Sequence, residues 1–174
     1  TIVTGDFLAH HDSVPLVFGA LAGLLTRPGA FVFGSNDYYA PKIKNPLSYL
    51  FRDKGVRKLG EELPWRELRD GLRERGWLDL NQSKTMINIK GHNVELRGTD
   101  DAHLNRDDYS LVSGPKNSHA ELSIGVTHAP YARILDAMAA DSIDLIFAGH
   151  THGGQVRLPL PTFMGGSRAL TTNC

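Results

Sequence analysis

Apolar residues recur along this chain in two rhythms. Ile2-Val3, Ala30-Phe31-Val32-Phe33, Leu122-Ser123-Ile124-Gly125-Val126 and Leu145-Ile146-Phe147-Ala148 are short, mostly unbroken runs that end in glycine or polar residues. Such runs are expected of strands buried on both faces. Between the first two runs, Val14, Val17, Phe18, Leu21, Leu24 and Leu25 recur at helical spacing. Ser13 stands at the front as a cap, Pro15 sits near the first turn, and Pro28-Gly29 forms the stop. Tyr131 to Asp141, with Ile134, Leu135, Met138 and Ala139, predicts a second helix, between the last two runs. Strands alternating with helices imply parallel pairing through right-handed crossovers.

A different rhythm occupies the middle. Pro64 to Arg75 predicts an amphipathic helix with Trp65, Leu68 and Leu72 on one side and charged residues elsewhere. Lys84 to Ile89 and Val94 to Arg97 predict two strands joined by a tight turn, with Gly91 or Asn93 supplying positive φ. That pairing is antiparallel, so an α/β fold with a mixed sheet is expected. Trp65 and Trp77 are read as core residues. No repeat or low-complexity segment interrupts the 174 residues, a length that suits one domain.

The ends of the buried runs carry the chemistry. They finish in Gly5-Asp6, in Gly34-Ser35-Asn36-Asp37, in Thr127-His128-Ala129-Pro130 and in Gly149-His150-Thr151-His152-Gly153-Gly154-Gln155. In open α/β sheets the carboxyl ends of strands are where ligands bind. Carboxylate, amide and imidazole together suit a divalent ion such as manganese, iron or zinc. Two histidines one residue apart reach one small volume only where the backbone bends sharply, and the flanking glycines permit the bend.

In this order and chemistry the four turns resemble those of the calcineurin-like metallophosphoesterases, through nearly the whole chain. The resemblance implies an αββα two-sheet sandwich with mixed sheets. It also implies two metals about 3.5 to 4 Å apart that share a carboxylate and a hydroxide attacking phosphorus. Asp6 would then be the bridging carboxylate, Asn36 the amide ligand, His128 and His150 ligands of one metal and His152 a ligand of the other. The activity implied is hydrolysis of a phosphomonoester or phosphodiester.

Two departures qualify the resemblance. The family opens with a strand ending Asp-x-His, and nothing of that kind precedes Asp6; the chain also stops at Cys174, where further strands are expected. The expectation is therefore one partial domain, 1–174, incomplete at both ends, with at most one tightly held ion. The family also reads Gly-Asn-His followed by an acid where this chain has Gly34-Ser35-Asn36-Asp37, the turn expected to hold the catalytic pair Asn36 and Asp37. Aligned without a gap, Ser35 replaces the ligand Asn and Asn36 replaces the catalytic His. A one-residue shift instead makes Asn36 the ligand, which the weak donor power of a neutral hydroxyl favours. Either way the family's proton donor is missing, which normally contributes about 10²–10⁴-fold. The nearest alternatives are His10, His11 and His103, which the sequence does not place. A rival reading follows: a weak or inactive metallophosphoesterase-like scaffold that binds protein.

Composition narrows the partners. Nineteen basic and nineteen acidic residues sum to zero, so there is no nucleic-acid footprint. No apolar run approaches the roughly 20 residues that span a bilayer, which leaves localisation, and membrane association of a longer parent, open. Cys174 is read as a plain core or strand residue. Tyr38, Tyr39, Lys42, Lys44, Arg52, Lys54, Arg57 and Lys58 follow the Gly34 turn as a basic, aromatic loop, read as solvated although it could clamp a phosphate. Thr99 to Asp108 is dense in carboxylates but lacks the glycine and terminal glutamate of a calcium loop, and is read as a polar turn near the cleft.

Overall fold

The computed structural model describes residues 1–41 and 59–151. Among these residues two sheets are formed. Strands β1 (Ile2–Val3), β2 (Ala30–Phe31) and β3 (Leu78–Asp79) make the first, in the order β1-β2-β3 and all parallel. The second runs β4 (Ser83–Ile89), β5 (His92–Gly98), β6 (Leu122–Thr127) and β7 (Leu145–Ala148). There β4 and β5 are antiparallel while β5, β6 and β7 are parallel. Mixing is thus confined to the second sheet, where the hairpin enters.

The layers follow from strand alternation. Phe31 and Phe33 belong to one buried cluster with Val14, Leu68, Leu72 and Trp77, whereas Ala30 and Val32 belong to another with Val94, Leu96 and Val126. One face of β2 therefore meets helices α1 (Ser13–Leu25) and α3 (Trp65–Glu74), and the other meets the second sheet. Beyond that sheet, Ile134 and Met138 of α4 (Ala132–Ala140) pack with Ala102 and Ile143. The order is helices, sheet, sheet, helix: the expected αββα sandwich.

Several predicted elements form with shifted ends. The α1 N-cap is Asp12 rather than Ser13, and no side chain caps the helix; the Ser13 hydroxyl instead accepts the His10 N–H at 3.1 Å. Helix α3 stops where Gly76 adopts φ 81°, with Gly76 N–H donating to Arg73 O and Trp77 N–H to Leu72 O. That is a Schellman ending, which a glycine serves best. The β4–β5 hairpin turns through Lys90 (φ 53°) and Gly91 (φ 95°), not through Asn93, which pairs with Asn88 in the ladder. Two successive positive φ values match the twist of a two-residue hairpin. Trp77 is buried in the core as predicted; Trp65 is half-buried against it, with the Arg66 and Arg69 guanidinium groups over its ring.

Candidate metal centre

The turns after β1, β2, β6 and β7 meet at one place, although β1 and β2 lie in one sheet and β6 and β7 in the other. Asp6, His128 and His150 each present a ligand atom there, all within 4.8 Å of one another. His128 Nε2 is 3.6 Å from Asp6 Oδ2 and 3.2 Å from His150 Nδ1. With Thr4, Gly5 and Gly149 these residues line a cleft of about 330 Å³.

Close approach of backbone explains the glycines. A Cβ on Gly34 would be driven into the Asp6 carboxylate and the His128 ring, and one on Gly149 into the Thr4 hydroxyl. Gly5 takes φ 94°. Asp6 and His150 themselves take φ 61° and 68°, a left-handed conformation uncommon for residues other than glycine. Both are residues whose side chains converge on the cleft.

The donor set fits a divalent cation. His128, only 1% exposed, has Nδ1 at 2.6 Å from the Thr4 carbonyl oxygen. A carbonyl only accepts, so Nδ1 carries the proton and, in the neutral ring, Nε2 presents a lone pair toward Asp6 and His150. An outer partner that fixes the tautomer in this way is the usual support of a metal-binding histidine. Two imidazole nitrogens and a carboxylate facing one another is an arrangement that a borderline cation satisfies.

The Gly34 turn forms the helical turn α2 (Ser35–Tyr38). Asn36 donates its backbone N–H to Asp6 Oδ1 at 2.9 Å and its amide to Asp6 Oδ2 at 3.1 Å. Ser35 turns elsewhere, donating its hydroxyl to Asp101 Oδ2 at 2.7 Å. Of the two alternatives at this turn, the side chain brought to Asp6 is that of Asn36. Asp37, expected as part of the catalytic pair, is fully buried and does not line the cleft. Its Oδ1 accepts the N–H groups of Phe7 and Leu8, and its Oδ2 those of Asp6 and Gly34. Burial pushes this carboxyl up to about 7, while the N–H donors around it pull the other way. These four bonds tie the loop from Asp6 to Leu8 to the Gly34 turn.

The other expected residues divide. His103 reaches the centre, its ring 4.5 Å from that of His150, whereas His10 and His11 pair with Asp12 and Glu61. The carboxylates of the Thr99 segment are engaged as a structured turn. Asp100 accepts from Tyr38 Oη and Arg106 Nε; Asp101 accepts from Ser35 and from the His103 N–H. His152, Cys174 and the loop residues Lys42, Lys44, Arg52, Lys54, Arg57 and Lys58 lie outside the described residues. Thr4, whose contribution is a backbone carbonyl, carried no sequence signal, since any residue type supplies that atom.

The family model described as calcineurin-like phosphoesterase matches residues 1–154. Two proteins of Bacillus subtilis (strain 168) are similar. An uncharacterized metallophosphoesterase, YkoQ, is 29% identical over 167 residues, covering 91% of this chain and 52% of that protein. An uncharacterized protein, YpbG, is 29% identical over 132 residues, covering 75% of this chain and 40% of that protein. The chain thus spans about half the length, or less, of these curated relatives.

Proposed function

Because the chain belongs to the calcineurin-like phosphoesterase family, we propose that it is a metal-dependent phosphoric ester hydrolase whose cation is held by Asp6, His128 and His150. The observation that carries this reading is the His128 ring, fixed by the Thr4 carbonyl so that its lone pair faces a carboxylate and a second imidazole. Asn36 is the amide ligand in this reading and His152 serves a second ion. Manganese, iron or zinc suits the mixed oxygen and nitrogen donors. Such an ion supplies Lewis-acid charge to a phosphoryl oxygen and acidifies a water.

The chain's own residues have the remaining tasks. Asp6 brings negative charge that holds the cation, and the Asn36 N–H on Oδ1 orients that carboxylate. Asp37 fixes the loop from Asp6 to Leu8 through its backbone N–H bonds. The glycines at 5, 34 and 149 let three turns close on one point. A phosphomonoester or phosphodiester is the substrate.

The composition of one turn favours a second reading. Whichever way Gly34-Ser35-Asn36-Asp37 aligns with the family, it holds no imidazole, and neither a hydroxyl nor an amide delivers a proton as an imidazole does. A scaffold that binds a cation and a protein partner without hydrolysis fits that substitution. Purified protein assayed for Mn²⁺ binding and for hydrolysis of p-nitrophenyl phosphate and bis-p-nitrophenyl phosphate separates the two. Metal-dependent turnover abolished by His150→Ala is the outcome expected of the hydrolase; tight metal binding with no turnover on either ester favours the scaffold.

A further inference from the structure

His128 and His150 are linked by a second path besides their own contact. Tyr131 stands three residues after His128, at the start of α4, and its hydroxyl lies 2.8 Å from His103 Nδ1. The His103 ring packs on the His150 ring at a centroid separation of 4.5 Å and a tilt of 49°. His150 then closes back on His128, with ring centroids 5.1 Å apart. The path leaves one imidazole of the centre and returns through the other.

Each supporting member is itself anchored. His103 belongs to the 3-10 turn Ala102–Leu104, its N–H donating to Asp101 Oδ1 at 2.9 Å, and Ala102 is 1% exposed. Tyr131 carries the Arg133 guanidinium 4.8 Å from its ring centroid, and Arg133 is paired with Asp107 at 2.6 Å. His150, in contrast, stands past the end of β7 at φ 68°, a left-handed conformation that residues with a Cβ rarely adopt. An imidazole on such a residue needs external contacts to point one way. His103 supplies one face of them.

We propose that His103 and Tyr131 form a positioning pair that sets the direction of the His150 imidazole at the cation centre. The proposal rests on the reading of Asp6, His128 and His150 as ligands. Outer partners of ligating histidines typically contribute 10–100-fold in metal affinity, and here the contact is ring packing rather than a hydrogen bond to His150. His103→Ala removes that packing. His103→Phe keeps a flat ring in place without a nitrogen, and Tyr131→Phe removes the hydroxyl that steadies His103.

Co²⁺ is the probe, because both its affinity and its visible absorption report coordination geometry without any turnover. The parent, His150→Ala, His103→Ala, His103→Phe and Tyr131→Phe are titrated with Co²⁺, with far-UV circular dichroism checking the fold of each. The expected result is loss of binding in His150→Ala and a roughly 10–100-fold weaker, spectrally altered site in His103→Ala. His103→Phe recovers most of the affinity, and Tyr131→Phe lies between. Parent-like affinity and spectrum in His103→Ala overturn the pair while leaving the ligand reading intact. Should His103→Ala not fold, the judgement passes to His103→Phe and Tyr131→Phe: a parent-like spectrum in Tyr131→Phe, or a loss in His103→Phe as deep as in His150→Ala, overturns the pair. Undiminished Co²⁺ binding by His150→Ala overturns the ligand reading, and the pair with it.

Discussion

His128 Nδ1 lies 2.6 Å from the carbonyl oxygen of Thr4, a bond between residues 124 apart in the chain. Thr4 follows β1 of the first sheet and His128 follows β6 of the second, so one hydrogen bond both joins the two sheets and orients the ring. Closing the sandwich and aiming the Nε2 lone pair are the same event. A side-chain cluster built this way is present only when the sheets are correctly docked.

That coupling makes His128→Ala a double loss. The side chain's buried hydrogen bond contributes about 0.5–1.5 kcal/mol to stability, and its removal also leaves the Thr4 carbonyl without that partner. Thermal melting without metal should show destabilisation, and Mn²⁺ titration calorimetry should show at least the 10–100-fold loss typical of supporting residues. Weakened metal binding with an unchanged melting temperature would contradict the coupling.

At the Gly34 turn the two neighbouring polar side chains point to different partners, Asn36 to Asp6 and Ser35 to Asp101. Asn36→Ala should therefore weaken Mn²⁺ binding, whereas Ser35→Ala should leave it unchanged and lower the melting temperature slightly. Equal metal content in Asn36→Ala and parent would defeat the ligand reading. Under the ungapped alignment that variant instead loses turnover alone, and Asn36→His raises it.

The four turns that meet at the cleft were readable because each follows an apolar run that ends in polar donor atoms, three of them beside a glycine. Helix α3 was equally readable from the spacing of Leu68 and Leu72, both fully buried. What stayed hidden depends on contacts between distant residues. His103 and His150 are brought together by a turn between β5 and β6 and by the end of β7, and no local pattern announces that. The role of Asp37 was hidden for another reason: a carboxylate accepting four N–H bonds and one facing a cation look the same as letters.

Gly34 tests how little room the centre leaves. Its backbone is not left-handed, with φ −112°, so alanine meets no torsional obstacle there. The obstacle is space, because the new Cβ overlaps Asp6 and the His128 ring. Gly34→Ala should fold but displace both groups, giving a strong loss of Mn²⁺ affinity. Parent-like affinity would mean the turn yields more easily than close packing allows.

Acid stability offers a check remote from the centre. Asp144 Oδ2 meets Lys116 Nζ at 2.5 Å and accepts the Ser123 N–H at 2.8 Å, and the Lys116 bond, then Ser123, lowers its carboxyl to about 2. The folded value lies below the unfolded one, so the anion's contribution is present above about pH 4 and is lost as pH falls through about 2. Asp144→Asn should flatten the dependence of melting temperature on pH between those limits. An unchanged slope would show that the pair contributes nothing in solution.

Asp37→Asn probes the loop that carries Asp6. In the parent each carboxylate oxygen accepts two backbone N–H groups, from Phe7 and Leu8 on one and from Asp6 and Gly34 on the other. An amide can present an oxygen to one pair only, and its NH₂ then faces two N–H donors. Each buried donor left unpaired costs about 1–3 kcal/mol, so the variant should be destabilised by several kcal/mol in urea titration near neutral pH. Because Asp6 sits at φ 61° and donates to the same carboxylate, its side chain loses its aim as well. Weaker Mn²⁺ binding by a residue that never touches the ion is the expected signature. Normal metal affinity combined with lowered turnover would instead return Asp37 to the catalytic role first expected of it.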